Sequence, residues 1–340
     1  MLEHGGWLRQ AAADSDIPLE QWLDLSTGIN PCSWQPREPI PVSCWQRLPE
    51  VDDGLEQAAR DYYGCASLLP VAGSQMAIQA LPQLKRLGTV AMARLAYAEH
   101  AHHWLNHNHN VVLIDEDYFE ESINQLLPRL DVLLLINPTN PSGRRFTVEQ
   151  LLAWHQQLAT RGGWLLVDEA FIDITPDQSL AAYCDRPGLI ILRSVGKFFG
   201  LAGARVGFVL AQRPLLDALN ELLGPWTLSG PSRWLVQQAL RDQQWQEAMR
   251  LHLVAGSERL AVLLKHCGLR PTGGSALFQY CSHPAAAELY QALQAQGVLV
   301  RLFDEPAALR FGLPADEVGW EQLEHALKQL KLPALSSYCD

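Results

Sequence analysis

No apolar run in this 340-residue chain reaches the length that crosses a membrane. Its first residues, Met1-Leu-Glu-His-Gly-Gly6, lack the apolar segment of a signal peptide, so a cytoplasmic protein is expected. Positive charge is scarce: 26 Lys and Arg stand against 37 Asp and Glu, a net charge of −11. Nucleic acids and anionic membranes require a basic surface, so neither is an expected partner. A small anion held in a local basic pocket is compatible with that balance. No two of the seven cysteines (Cys32, Cys44, Cys65, Cys184, Cys267, Cys281 and Cys339) lie at a C-x-x-C spacing, and their number is odd. That argues against a disulfide framework or a zinc site and for reduced thiols. Internal repeats and low-complexity tracts are absent as well. What the chain does have is apolar material. Hydrophobic residues make up 48% and charged residues 19%, enough for one large packed domain and a smaller one.

Those apolar residues fall into a strand–helix alternation. Leu68-Leu-Pro-Val-Ala-Gly73 ends in a glycine, and Ser74 is placed to cap a helix over 75–87. The runs 89–93, 110–114 and 132–136 suit central parallel strands. Thr147 and Gln150 form a capping-box pattern for a helix to about Thr160. Gly163–Val167, Leu189–Leu192 and Val206–Leu210 are further buried strands. This order predicts an α/β fold with a large, doubly wound, mostly parallel sheet. Ahead of it, residues 32–49 hold four prolines and read as a surface arm. Leu55, Ala58, Ala59 and Tyr62 give helical spacing that stops at Gly64. After Pro214 helices dominate, over 215–223, 233–250, 257–266 and 285–296, with short strands at 277–280 and 298–302. The expected division is an N-terminal arm (1–45) packing with the small domain, a large domain (46–214), and a small α+β domain (215–340).

In open α/β sheets ligands bind beyond the carboxyl ends of the strands. Four segments fall there: Gly73-Ser74, Asn137-Pro-Thr-Asn-Pro-Ser-Gly143, Asp168-Glu-Ala-Phe171, and Lys197 after the strand ending at Ser194. Singly each has a plain reading, as a helix start, a turn, a solvated strand end or a surface lysine. Lys197, however, sits among Gly196, Gly200 and Gly203 without polar neighbours. A lysine in a poorly hydrated turn is a usable amine nucleophile. The four in this order are far more specific than any one alone. Two rival motifs fail. Phe198 follows Lys197 where a phosphate-binding P-loop needs Ser or Thr, and Gly200-x-x-Gly203 is not a dinucleotide fingerprint. His100, His102, His103, His107 and His109 fit no compact metal-ligand spacing and read as a polar helix face, so no metal is expected.

These segments, with Leu201-Ala-Gly-x-Arg205-x-Gly207, resemble the class I/II aminotransferase family of fold-type I pyridoxal-phosphate enzymes. The resemblance runs from His4-Gly-Gly6 to Leu309-Arg-Phe-Gly312 and is nearest to the branch of threonine-phosphate decarboxylases and histidinol-phosphate aminotransferases. It implies pyridoxal 5'-phosphate as cofactor, with Lys197 bonding its aldehyde and Asp168 facing the pyridine nitrogen. It further implies Asn140 on the ring 3-oxygen, and backbone N–H groups of Ser74 and Gln75 with Ser194 and Arg205 on the phosphate. Tyr97 matches the family aromatic that stacks on the ring; a core or rim tyrosine is the plain alternative. For the substrate it implies Arg310 on the α-carboxylate, Arg301 near a phosphate, Asn30 lining the mouth, and His4 approaching the phosphate. Two positions depart from the family pattern: Phe171 replaces a tyrosine that donates to the 3-oxygen, and Leu48 replaces one that reaches a neighbouring subunit.

The activity implied first is decarboxylation of L-threonine O-3-phosphate to aminopropanol phosphate for the cobalamin side arm. A histidinol-phosphate-type aminotransferase is the alternative, and a catalytically silent scaffold a third. The resemblance also implies a homodimer.

Overall fold

The computed structural model describes residues 5–330. The strands in chain order are β1 (Leu23–Asp24), β2 (Leu68–Val71), β3 (Thr89–Ala93), β4 (Asn110–Ile114), β5 (Val132–Ile136), β6 (Trp164–Asp168) and β7 (Leu189–Ser194). They continue with β8 (Gly207–Leu210), β9 (Gly273–Ser275), β10 (Phe278–Ser282), β11 (Val298–Leu299), β12 (Arg301–Phe303) and β13 (Ala308–Gly312). The chain divides into two compact units, one of residues 32–250 and one of residues 5–31 with 251–330. The division falls at Arg250, whereas the change of sequence character lies near residue 215. The helices Arg213–Leu223 and Gly230–Arg241 account for the difference. They pack against the helices Gly73–Leu84 and Leu55–Tyr63 of the larger unit.

The larger unit holds a seven-stranded sheet in the order β2-β8-β7-β6-β5-β3-β4. Only β8 is antiparallel to its neighbours β2 and β7. β5, β6 and β7 are buried almost throughout, as their unbroken apolar runs require. Asn110–Ile114 is an edge strand rather than a central one, and its outer residues are correspondingly less buried. On one face Val90, Leu134, Leu166, Ile190 and Val209 pack with Ala77, Leu81, Trp104, Leu216 and Leu219 from the covering helices. Each large apolar side chain buried there contributes about 1.5–3 kcal/mol.

Local chemistry sets the helix ends. The Thr147 hydroxyl accepts from Gln150 N at 3.2 Å, closing the helix Val148–Ala159 as its capping pattern predicts. Ser74 does not cap: the helix begins at Gly73, one residue earlier, with Ala72 at the cap position and no side-chain cap. The helix expected over 233–250 is broken at Asp242. Its carboxylate accepts from Trp245 N at 3.2 Å and from Trp34 Nε1 at 3.1 Å. A separate helix, Gln243–His266, starts there. None of the described helices is long and apolar enough to cross a membrane.

The smaller unit carries a four-stranded sheet, β12-β13-β10-β9, and a two-stranded parallel pair, β1 with β11. Leu25, just after β1, joins the two: Gly312 N of β13 donates to Leu25 O (2.7 Å), and Leu25 N donates to Leu299 O of β11 (2.7 Å).

Candidate active site

β8's direction explains how the larger unit gathers its polar groups. Because β8 alone runs backwards, its first residue, Gly207, stands level with Ser194 at the end of β7 and Val71 at the end of β2. Arg205, just before β8, therefore reaches the carboxyl edge of the parallel strands. Arg205 adopts the left-handed conformation (φ 52°, ψ 53°), which non-glycine residues seldom do and which marks sites under functional constraint. Its guanidinium lies over the start of the helix Gly73–Leu84. A Cβ on Gly73 (φ +70°) would come within 2.6 Å of it. A Cβ on Gly207 would come within 2.5 Å of Ser74 N. Two glycines thus bring together a helix N-terminus, the Ser194 strand end and an arginine fork. That is a cradle for a phosphate-sized anion.

Asp168 closes β6, level with Ile136 at the end of β5. It is 4% exposed. One carboxylate oxygen accepts from Ala170 N at 3.0 Å, and the other lies 3.0 Å from His100 Nε2. A carboxylate only accepts, so Nε2 carries the proton in this pair. His100 is not among the cofactor or substrate residues that the sequence implies. The polar-face reading is corrected for His100 and His109, which are 1% and 4% exposed. His109 Nε2 lies 3.0 Å from Pro82 O. His100 shares the buried face of its helix, Ala98–Asn106, with Trp104 four residues on. That spacing beside an apolar tryptophan was the available signal.

The Asn137–Gly143 turn follows β5. The Asn137 side chain mimics a backbone segment, accepting from Phe146 N (3.0 Å) and donating to Phe146 O (3.2 Å). Thr139 N to Arg144 O (2.8 Å) and Gly143 N to Thr139 O (2.7 Å) tighten the loop that carries Asn140. Lys197 lies in the turn after β7. Phe198 and Phe199 anchor that turn on Trp245, with ring centroids 5.5 and 5.7 Å away. The Lys197 ammonium sits 5.4 Å from the centre of the Phe171 ring, so the departure at Phe171 gives the lysine an aromatic wall. The Tyr97 hydroxyl donates to Gln75 Oε1 at 3.2 Å. Burial pushes the Tyr97 phenol up to about 12, with Glu99 adding to the shift. All eight cofactor candidates, Ser74, Gln75, Tyr97, Asn140, Asp168, Ser194, Lys197 and Arg205, belong to this one edge of the sheet.

Behind the edge lies a buried charge cluster that the sequence did not announce. Arg193 is 2% exposed and pairs with Glu169 (3.2 Å) and Asp173 (2.6 Å). Glu169 also accepts from Leu180 N at 2.8 Å and Ser179 Oγ at 2.5 Å. Strand alternation accounts for the placement: Glu169 and Arg193 adjoin Asp168 and Ser194 and point away from them.

In the smaller unit Arg301 and Arg310 are directly opposed on β12 and β13. Like charges directly opposite on a strand pair destabilise it, and an anion between them would relieve that repulsion. Arg310 is buried and donates to Ser26 O at 2.7 Å. Burial, then the neighbouring Arg301, brings the Arg310 guanidinium down to about 10. Asn30 is buried in the same unit. Gly6 N donates to Ser26 Oγ at 2.8 Å, and a Cβ on Gly5 would collide with Ser26 O. The Gly-Gly pair therefore lies directly on the Ser26 segment that Arg310 touches. His4 lies outside the described residues.

The described architecture recurs in known proteins. Residues 47–330 match the family model for aminotransferase class I and II. A threonine-phosphate decarboxylase of Pseudomonas aeruginosa is 56% identical over 98% of this chain and 99% of its own length. One from a Sinorhizobium species is 38% identical over 97% and 99%. The crystal structure of a histidinol-phosphate aminotransferase from Sinorhizobium meliloti, in complex with pyridoxal-5'-phosphate, superimposes with a TM-score of 0.80 at 21% identity, covering 89% of each chain. The family match and the full-length identity agree: this chain belongs to the aminotransferase class I and II family.

Proposed function

We propose that this chain is a pyridoxal-phosphate-dependent lyase that decarboxylates L-threonine O-3-phosphate to (R)-1-amino-2-propanol O-2-phosphate, a building block of the cobalamin side arm. Identity of 56% to a threonine-phosphate decarboxylase along almost the whole chain carries the reading. The residues present fit the cofactor. The Gly73–Arg205 cradle suits its phosphate, and the fixed carboxylate of Asp168 suits its pyridine nitrogen.

When bound, pyridoxal phosphate accepts into its ring the electrons of a bond broken at the substrate α-carbon. Asp168 would keep a proton on the pyridine nitrogen, and His100 holds Asp168. Backbone N–H groups of Ser74 and Gln75, the Ser194 hydroxyl and the Arg205 guanidinium would grip the phosphate. Asn140 would donate to the 3-oxygen, a task that Phe171 leaves to it. Tyr97 would cover the ring face. Lys197 Nζ would anchor the cofactor and move a proton at the substrate α-carbon. Arg310 would receive the substrate carboxylate, Arg301 and His4 would stand at its phosphate end, and Asn30 would line the mouth. The residues that hold the substrate carboxylate, Arg310 first among them, would decide whether the carboxylate or the α-hydrogen is lost.

The test is a pair of assays on the holoenzyme. Carbon dioxide release from threonine phosphate without a keto acid is the expected result. Turnover of histidinol phosphate that depends on 2-oxoglutarate, without carbon dioxide release, would sink the lyase in favour of the aminotransferase.

The assembly is a homodimer in this reading. Val42, Trp45, Leu48 and Val51 expose an apolar strip in one short segment of the larger unit, each more than 60% accessible. Such strips mark association surfaces. Sedimentation at micromolar concentration is expected to give twice the chain mass; a single-chain mass would refute it.

A further inference from the structure

A carboxylate stands close to the anion cradle, where its charge opposes a bound phosphate. Glu99 is in the first turn of the helix Ala98–Asn106, with its side chain 14% exposed. One of its oxygens accepts from Gln75 Nε2 at 2.7 Å and lies 3.1 Å from His103 Nε2. Gln75 is the neighbour of Ser74 in the first turn of the helix Gly73–Leu84. The Gln75 carbonyl oxygen in turn accepts from the Tyr97 hydroxyl at 3.2 Å.

The order of these bonds has only one sense. A carboxylate cannot donate, so it draws the amide NH₂ of Gln75 towards itself. The amide oxygen must then face Tyr97, whose hydroxyl can satisfy it only by donating. A neutral amide at position 99 would lift the repulsion on the cradle, but it would let Gln75 face either way. The same helix turn places His100 on Asp168, and the Tyr97 and His100 rings meet edge-on with centroids 6.2 Å apart. Glu99 therefore ties the first turn of one helix, at the phosphate end, to the first turn of the other, at the ring end.

We propose that Glu99 is a positioning residue for the reaction, acting through the Gln75 amide to fix the Tyr97 phenol and hold its ring over the cofactor. The proposal rests on the reading of Tyr97 as the ring-covering residue. Its effect would pass through the Gln75 amide to the Tyr97 hydroxyl.

A double-mutant cycle tests it. Apoprotein is titrated with pyridoxal phosphate, reading the visible absorbance and the circular dichroism of the bound chromophore. Glu99→Gln, nearly isosteric, is expected to weaken cofactor binding about ten-fold, the order of one charge-assisted hydrogen bond, and to change the dichroism. Gln75→Met cuts the same chain and is expected to match it. Tyr97→Phe keeps the ring and removes the hydroxyl. Glu99→Gln added to Tyr97→Phe is expected to lose nothing more, because the relay has already been cut. Losses that multiply in the double variant, or a Glu99→Gln variant that binds the cofactor and shows its dichroism like the wild type, would overturn the proposal. In those cases wild-type binding and carbon dioxide release stay intact, so the functional reading stands. A wild-type chain that binds no cofactor overturns both.

Discussion

Lys197→Ala is expected to lose carbon dioxide release by about a thousandfold or more, the scale of removing a group that moves a proton at the reacting carbon. The same variant is expected to lack the visible absorbance of the lysine-bound cofactor while still binding pyridoxal phosphate through the Gly73–Arg205 cradle. The fold should survive. Lys197 is only half-buried, and the turn is held by Phe198 and Phe199 on Trp245 and by Gly200 N to Lys197 O, a backbone bond. Spectra, turnover and thermal unfolding on one preparation separate these effects. Retained activity above a tenth of the wild type would remove Lys197 from the mechanism.

Arg193→Met is expected to lower the stability of the larger unit by about 3–5 kcal/mol, the cost of leaving a buried charge without its partner. Two carboxylates, Glu169 and Asp173, lose their counter-ion at once. Methionine keeps much of the packing over the Tyr63 ring, which the guanidinium now faces at 4.4 Å. The pH dependence has a definite sign. Burial already holds the Glu169 carboxyl above its ordinary value of 4.5, and Arg193 opposes that rise. Without Arg193 the rise grows. A carboxyl with a raised folded pKa keeps its proton where the unfolded chain has released it, so stability falls as pH increases above about 4.5. The deficit of the variant should therefore shrink towards pH 5 and widen towards pH 8. Adding Glu169→Gln should recover part of it. Urea unfolding at the two pH values is the check, and a pH-independent loss below about 1 kcal/mol would show that the cluster is not held by this ion pair.

Much of this arrangement was legible in the chain. The seven strands of the large sheet stand where unbroken apolar runs place them, because a strand covered on both faces tolerates little else. The segments at their carboxyl ends lie on one edge because βα units deliver them there. Other features depended on partners far away in sequence. Nothing within Asn110–Ile114 says that no strand follows it in the sheet, so its edge position was not readable. Asp242 looked like an ordinary polar residue inside a helical run. It interrupts that run because its carboxylate is engaged by Trp34 as well as by Trp245. Arg193 showed one arginine after an apolar run; its burial follows from Glu169 and Asp173, both in the segment just beyond the neighbouring strand β6. His100 is the one miss that the sequence could have prevented, through its helical spacing to Trp104.

Arg205 reaches the carboxyl edge only through the reversed β8, and this makes the anion cradle a late product of folding. Leu68 pairs with Leu210 and Val71 with Gly207, so the whole parallel sheet is strung between the two halves of the cradle. Closing so long a loop is entropically slow until the strands between have condensed. A chain leaving the ribosome would possess Ser74 and its helix early, and gain Arg205 only after β3 to β7 had been made. Capture of a phosphate by the whole cradle then reports that β8, the last strand of the large sheet in chain order, has joined it.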